Sequence, residues 1–277
     1  MMPGPMAAAA AASLGFGASF ANAERRAMIE RHISRVNPAL RGNSLRVAVQ
    51  QAFDSYARYY MESFRLPSLS KRTVSRSFTL DGFHHVTDAL ELGNGCIFAL
   101  PHLGGWEWAG RWMSDHGYPL TVVVEALEPP ELFQWFADLR KELGMTVVPT
   151  GPTAGPAVLK ALRANEIVCL LCDRDIERRG VEVEFFGERT TLPAGPATMG
   201  LRIGAPILPV GCYFTPAYNG HHALVRPPVP ATRGGTGLRD DVARVTQVLA
   251  RELEFLIRRA PEQWHLFQPN WPSDPGY

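Results

Sequence analysis

The sequence predicts an α/β protein with a mostly parallel central sheet flanked by helices and an N-terminal helical arm. Two patterns from Gly95 onward carry that expectation: short apolar runs that read as buried strands, and longer stretches between them whose apolar residues recur at helical spacing. Such alternation indicates parallel strands joined by helical crossovers, with chemistry at the carboxyl ends of the strands. A third observation supplies the arm, an arginine-rich stretch ahead of the alternating region.

The chain starts with an alanine-rich segment that imitates a secretory signal and ends in Ala21-Asn22-Ala23, yet nothing before Glu24 is charged, so the positive n-region is missing. It reads as a weakly hydrophobic leader, too poor in Leu, Ile and Val for the ~20 apolar residues of a membrane span. From Glu24 to Arg46, Arg25, Arg26, Arg31, Arg35, Arg41 and Arg46 stand against Glu24 and Glu30. The stretch is either a solvated helix face or a peripheral contact with anionic lipid, where each cation contributes about 1 kcal/mol. Residues 1–44 are assigned to leader and arm, and residues 45–277 to a single catalytic domain.

Leu45 to Phe64 places Val49, Phe53, Tyr56, Tyr60 and Phe64 on one helical face. Strands follow at Cys96–Leu100, Leu120–Val124, Thr146–Pro149, Ile167–Leu171 and Ile207–Phe214, with Ala223–Val225 as an edge strand ended by Pro227 and Pro228. The helices between them run Trp106–Ser114, Pro130–Leu143, Pro156–Arg163 and Ala194–Ile203, and a long last helix covers Leu238–Arg259.

A formal net charge of +1 and a pI of about 7.8 exclude the basic field of a dedicated nucleic-acid binder. Cys96, Cys169, Cys172 and Cys212 fall mostly in apolar runs and read as small core residues. The Cys169-x-x-Cys172 pair has no second pair at zinc spacing, so no metal is assigned, and a reducing cytoplasm fits. His84-His85 and His221-His222 read as surface pairs. Phe185-Phe186-Gly187 is either core or a membrane- or chain-contacting tip.

The informative stretch is Leu100-Pro101-His102-Leu103-Gly104-Gly105-Trp106-Glu107. A strand ends at His102, two glycines turn the chain, and a helix begins near Trp106, so His102 and Glu107 can meet across the corner. On one continuous helix they would point about 140° apart. An imidazole oriented by a carboxylate suits removal of a hydroxyl proton near neutral pH, and backbone amides at Gly104 and Gly105 are candidate oxyanion donors. A helix-capping histidine is the alternative for this fragment alone.

His102 followed five positions later by Glu107 resembles the His-x-x-x-x-acid signature of glycerolipid and lipid A acyltransferases. The chain is most similar to actinobacterial phosphatidylinositol mannoside acyltransferases. The likeness runs from about Ser55 to about Pro230, through ALPHLGGWEWAG, VVVEALEPPELF, CDRDIERRGVEVEFFGE and LPAGPATMGLRIGAPILPV. The resemblance implies an acyltransferase domain with His102, Glu107 and Asp173 as catalytic residues, leaving open whether Glu107 or Asp173 partners His102. It also implies that Glu125, Arg140, Arg174 and Asp175 organise the pocket or the acceptor. Gly104-Gly105-Trp106-Glu107 departs from the Gly-Asn-Trp-Asp of the mannoside branch and leaves the acceptor open.

Acyl-CoA is then the expected donor substrate, with no separate cofactor, and a glycolipid the expected acceptor, at the cytoplasmic face of the cell membrane. Arg174, Arg178, Arg179 and Arg189 are candidates for meeting phosphates of donor or lipid. The competing readings are a lipid A-type or lysophospholipid acyltransferase and a non-catalytic lipid-binding protein of the same fold. A serine hydrolase is disfavoured because no Gly-x-Ser-x-Gly elbow is present, and a dehydrogenase because no Gly-x-Gly-x-x-Gly follows the first strand.

Overall fold

The structure, a computed structural model, describes residues 22–125, 130–235 and 237–277. The alanine-rich leader lies outside the described residues. Helices α1 (Ala23–Val36), α2 (Gly42–Arg65) and α3 (Lys71–Arg76) lead into β1 (Phe78–Asp81) and α4 (His84–Glu91). The alternating region then runs β2 (Cys96–Leu100), α5 (Trp106–Asp115), β3 (Leu120–Val124), α6 (Pro130–Glu142), β4 (Thr146–Pro149), α7 (Ala154–Arg163) and β5 (Ile167–Leu171). A hairpin of β6 (Val181–Phe185) and β7 (Glu188–Leu192) precedes α8 (Gly195–Ile203), β8 (Ile207–Phe214), β9 (His221–Val225) and α9 (Leu238–Arg258).

Seven strands form one sheet in the order β1-β9-β8-β2-β5-β3-β4. Strands β8, β2, β5, β3 and β4 are mutually parallel, as the alternation predicts, while β9 pairs antiparallel to β8 and β1 lies parallel to β9. The short run at Ala223–Val225 is therefore not the edge. β1, a four-residue strand with no hydrophobic signature strong enough to announce it, covers β9 on its outer side.

Strand β2 is buried along its whole length because helices cover both faces of the sheet, which is why the run is apolar without alternation. On one face Ile97 and Ala99 join Val245, Leu249, Leu253 and Leu256, which recur at helical spacing along α9. On the other face Phe98 and Leu100 meet Trp108 of α5 and Phe136 of α6. The Phe185-Phe186 pair resolves to core, Phe185 and Phe186 being buried beside Trp264 and Trp271.

Helix α1 is the basic arm, and two of its arginines bind the end of the chain. Arg31 donates to the Ser273 carbonyl at 2.8 Å, and Arg35 reaches Asp274 at 3.1 Å while lying over the Trp271 ring. Buried His32 completes this contact, bridging the Leu266 carbonyl and the Asp274 carboxylate. The arm is thereby fixed to the chain's last residues. Among the described residues no helix is long and apolar enough to cross a membrane.

Candidate active site

The register of two neighbouring strands builds the site. Leu100 at the end of β2 pairs with Leu171 at the end of β5, so the second residue beyond each strand, His102 and Asp173, comes level with the other. Asp173 Oδ1 lies 2.6 Å from His102 Nδ1, and Oδ2 accepts the His102 backbone N–H at 3.0 Å. A carboxylate can only accept, so Nδ1 carries the proton, and in the neutral ring the lone pair sits on Nε2. Asp173 is fully buried. Burial pushes its pKa up, but the His102 charge and the donors around it outweigh that and hold it at about 2.

Glu107 faces elsewhere. Its Oε1 accepts Arg140 Nη2 at 2.6 Å and the Tyr59 hydroxyl at 3.0 Å, while Oε2 accepts Arg140 Nε at 3.3 Å. The turn that could have joined His102 and Glu107 instead sends them to opposite partners, and the structure gives the imidazole to Asp173. Burial and the adjacent Glu107 carboxylate push the Tyr59 phenol well above its ordinary range, so it stays a donor.

Gly104 makes the corner possible. Its φ is +59°, and a Cβ there would sit 2.3 Å from the Cys212 carbonyl oxygen, so both conformation and space require glycine. Its amide donates to the Gln263 carbonyl at 2.9 Å, which removes it as a free oxyanion donor. Gly105 is the N-cap of α5, and its carbonyl accepts the Trp108 N–H.

Glu125, just beyond β3, accepts Arg174 Nη2 at 2.6 Å, and Arg174 also reaches Gln268, so these residues form a polar rim near the dyad. Asp175 does not join it. Its Oδ2 accepts the Gly180 N–H and the Thr191 hydroxyl, pinning the entry to the β6–β7 hairpin. Arg189 pairs with Glu182, Arg179 approaches Glu177 and Arg178 lies over Tyr277, so Arg174 is the one member of the predicted arginine group that borders the cavity.

A cavity of about 420 Å³ opens beside His102 and extends under the sheet. It passes β1, β9, β8, β2, β5 and β3, touching Phe78, Ala223, Val210, Phe98, Cys169 and Val122 in turn. At ~4.8 Å per strand spacing this crossing is about 24 Å. Most of the lining is apolar, and Glu125 and Arg174 border the cavity together with His102. Burial pushes the thiol of wall-lining Cys212 up to about 12, so it stays protonated and inert. Among the described residues no group of three or more His, Cys, Asp or Glu is placed to hold a metal ion.

Residues without a local signal complete the site. Tyr59 reaches Glu107 from α2, and the segment after α9 supplies Trp264, His265 and Asn270. His265 is buried next to His102. Burial, then the His102 charge, lowers its pKa to about 3, and its Nε2 meets Ser55 Oγ at 2.8 Å. His221 is likewise buried and not on the surface, its Nε2 lying 2.8 Å from Glu62 and its ring stacked on Trp108.

The chain belongs to the bacterial lipid A biosynthesis acyltransferase family, whose model matches residues 1–273. It is 39% identical over 228 residues to a phosphatidylinositol mannoside acyltransferase of Mycobacterium tuberculosis, covering 80% of this chain and 70% of that relative. It is 37% identical over 229 residues to the protein of the same name from Mycolicibacterium smegmatis, covering 82% and 73%.

Proposed function

We propose that this protein transfers a fatty acyl group from acyl-CoA to a hydroxyl of a phosphatidylinositol mannoside, with His102 as general base. The observation that carries this reading is the His102–Asp173 pair set at the mouth of the apolar cavity. The acyl chain occupies the cavity with its thioester at the polar rim. His102 Nε2 takes the acceptor hydroxyl's proton as that oxygen attacks the thioester carbon, and Asp173 stabilises the imidazolium that forms. Collapse of the tetrahedral intermediate breaks the C–S bond. The proton passes to the departing sulfur, leaving an ester and free CoA.

Glu107, neutralised by Arg140, holds the start of α5 and hence the turn behind His102, while Glu125 and Arg174 face the acceptor sugar. Attachment is peripheral, at the cytoplasmic face of the membrane. Exposed Phe64, its ring tilted against Trp135 at 4.6 Å and beside the cavity-lining Tyr60 and Phe136, supports peripheral contact with a membrane surface, since aromatic rings settle at the lipid–water boundary.

The test is an assay with long-chain acyl-CoA and mannosylated phosphatidylinositol, following free CoA and the mass of the lipid product. Release of CoA that requires the acceptor, adds one acyl group to it and is lost in His102→Ala is the expected result. Binding of acyl-CoA with no acceptor-dependent release would overturn it.

A further inference from the structure

Asp173 is the buried carboxylate of the dyad, and its second oxygen is not left to His102 alone. Trp264 Nε1 donates to Oδ2 at 2.7 Å, shorter than the 3.0 Å bond from the His102 backbone N–H. The indole is itself buried, wedged among Phe185, Phe186, His32 and Trp271, so its N–H has one fixed direction.

The segment that brings Trp264 also grips the backbone of the histidine. Residues 263–265 lie antiparallel to residues 102–104, with Leu103 opposite Trp264. The Gly104 amide donates to the Gln263 carbonyl at 2.9 Å and the His265 amide to the His102 carbonyl at 2.7 Å. Farther along, Asn270 Nδ2 donates to the Asp173 carbonyl at 3.2 Å. Both members of the dyad are thus held by one strap, which Asp274 closes by accepting the Asn270 and Trp271 amides and meeting His32 and Arg35 of α1.

We infer that Trp264 is a positioning residue for the reaction, fixing the rotamer and basicity of Asp173 so that the carboxylate orients His102. The inference rests on the general-base reading of His102. An indole N–H on a carboxylate lowers its basicity, and without it the buried Oδ2 keeps a single protein donor, the His102 backbone N–H. A freer and more basic Asp173 rotates away part of the time, which lowers kcat. When in place it holds the imidazolium more tightly, so the acid limb of the pH profile moves to higher pH. Substrate binding at the rim and cavity is untouched.

The experiment compares the full-length protein with Trp264→Phe and with Trp264→3-benzothienylalanine, an isostere that keeps the bicyclic shape and lacks the N–H. The second variant guards against loss of fold in the first. Expected are a fall in kcat on the order of tenfold, unchanged KM for acyl-CoA and acceptor, and an acid limb of kcat/KM displaced upward. The downfield proton resonance of the His102 Nδ1–H, absent in His102→Ala, shifts in both variants. A folded isostere with wild-type kcat, acid limb and resonance overturns the inference. Turnover surviving in His102→Ala overturns the general-base reading alone, because the resonance reports the Trp264 bond without any turnover.

Discussion

Glu107 and Arg140 form a buried pair, with Oε1 2.6 Å from Nη2 and both oxygens occupied, so the acid five residues after His102 serves a cation and not the imidazole. The site therefore holds two carboxylates with separate duties. Asp173 holds the His102 imidazole, and Glu107 holds Arg140 and Tyr59.

That division predicts different losses. Glu107→Ala leaves Arg140 charged and unpaired in the interior and destabilises the fold by about 3–5 kcal/mol, lowering Tm on the order of 10 °C. Glu107→Gln still offers an acceptor oxygen to Arg140 and loses less, with the acid limb of the pH profile in place. Asp173→Asn instead removes the orienting charge and lowers kcat by roughly 10²- to 10⁴-fold. Thermal unfolding and pH–rate profiles of the three variants check this; a displaced acid limb in Glu107→Gln would reassign the partner of His102.

Stability in acid follows from the same carboxylate. The Asp173 pKa is depressed from 3.8 to about 2 in the folded protein, where the opposing contacts outweigh burial. A group more acidic when folded contributes stability that is fully present above its unfolded pKa and is lost as the pH falls through its folded one. The window is therefore from about pH 4 down to about pH 2, and the contribution about 2 kcal/mol. Denaturant unfolding at the two ends of that window measures it, and Asp173→Asn, which cannot titrate, shows a correspondingly smaller acid loss. Equal losses in the two proteins would refute the assignment.

Ala223 lines the cavity from β9 and is small enough to leave the passage open toward β1. Ala223→Leu adds three carbons to that wall. Turnover of long-chain acyl thioesters is expected to fall about tenfold while shorter chains keep most of theirs, since one methylene in a fitted apolar pocket is worth about 1–3 kcal/mol. Competition between donors of different length, read by product mass, is the check. An unchanged product distribution places the acyl chain elsewhere.

By itself the sequence determined the parallel core strands and put His102 and Asp173 just beyond two of them, while β1 and the β6–β7 hairpin went unannounced. Runs such as Cys96–Leu100 and Ile167–Leu171 are apolar without interruption because both sheet faces are covered, and His102 and Asp173 interrupt that pattern where the strands stop. Gly104 was readable as a turn for a local steric reason. Tertiary structure decided the rest. The choice of Asp173 over Glu107 depends on the β2–β5 register, and Trp264 reaches the site across 91 residues of chain from Asp173. Local pattern records which face of an element is buried. It carries no trace of which distant side chain will complete a hydrogen bond, because that contact exists only once the separate elements have packed.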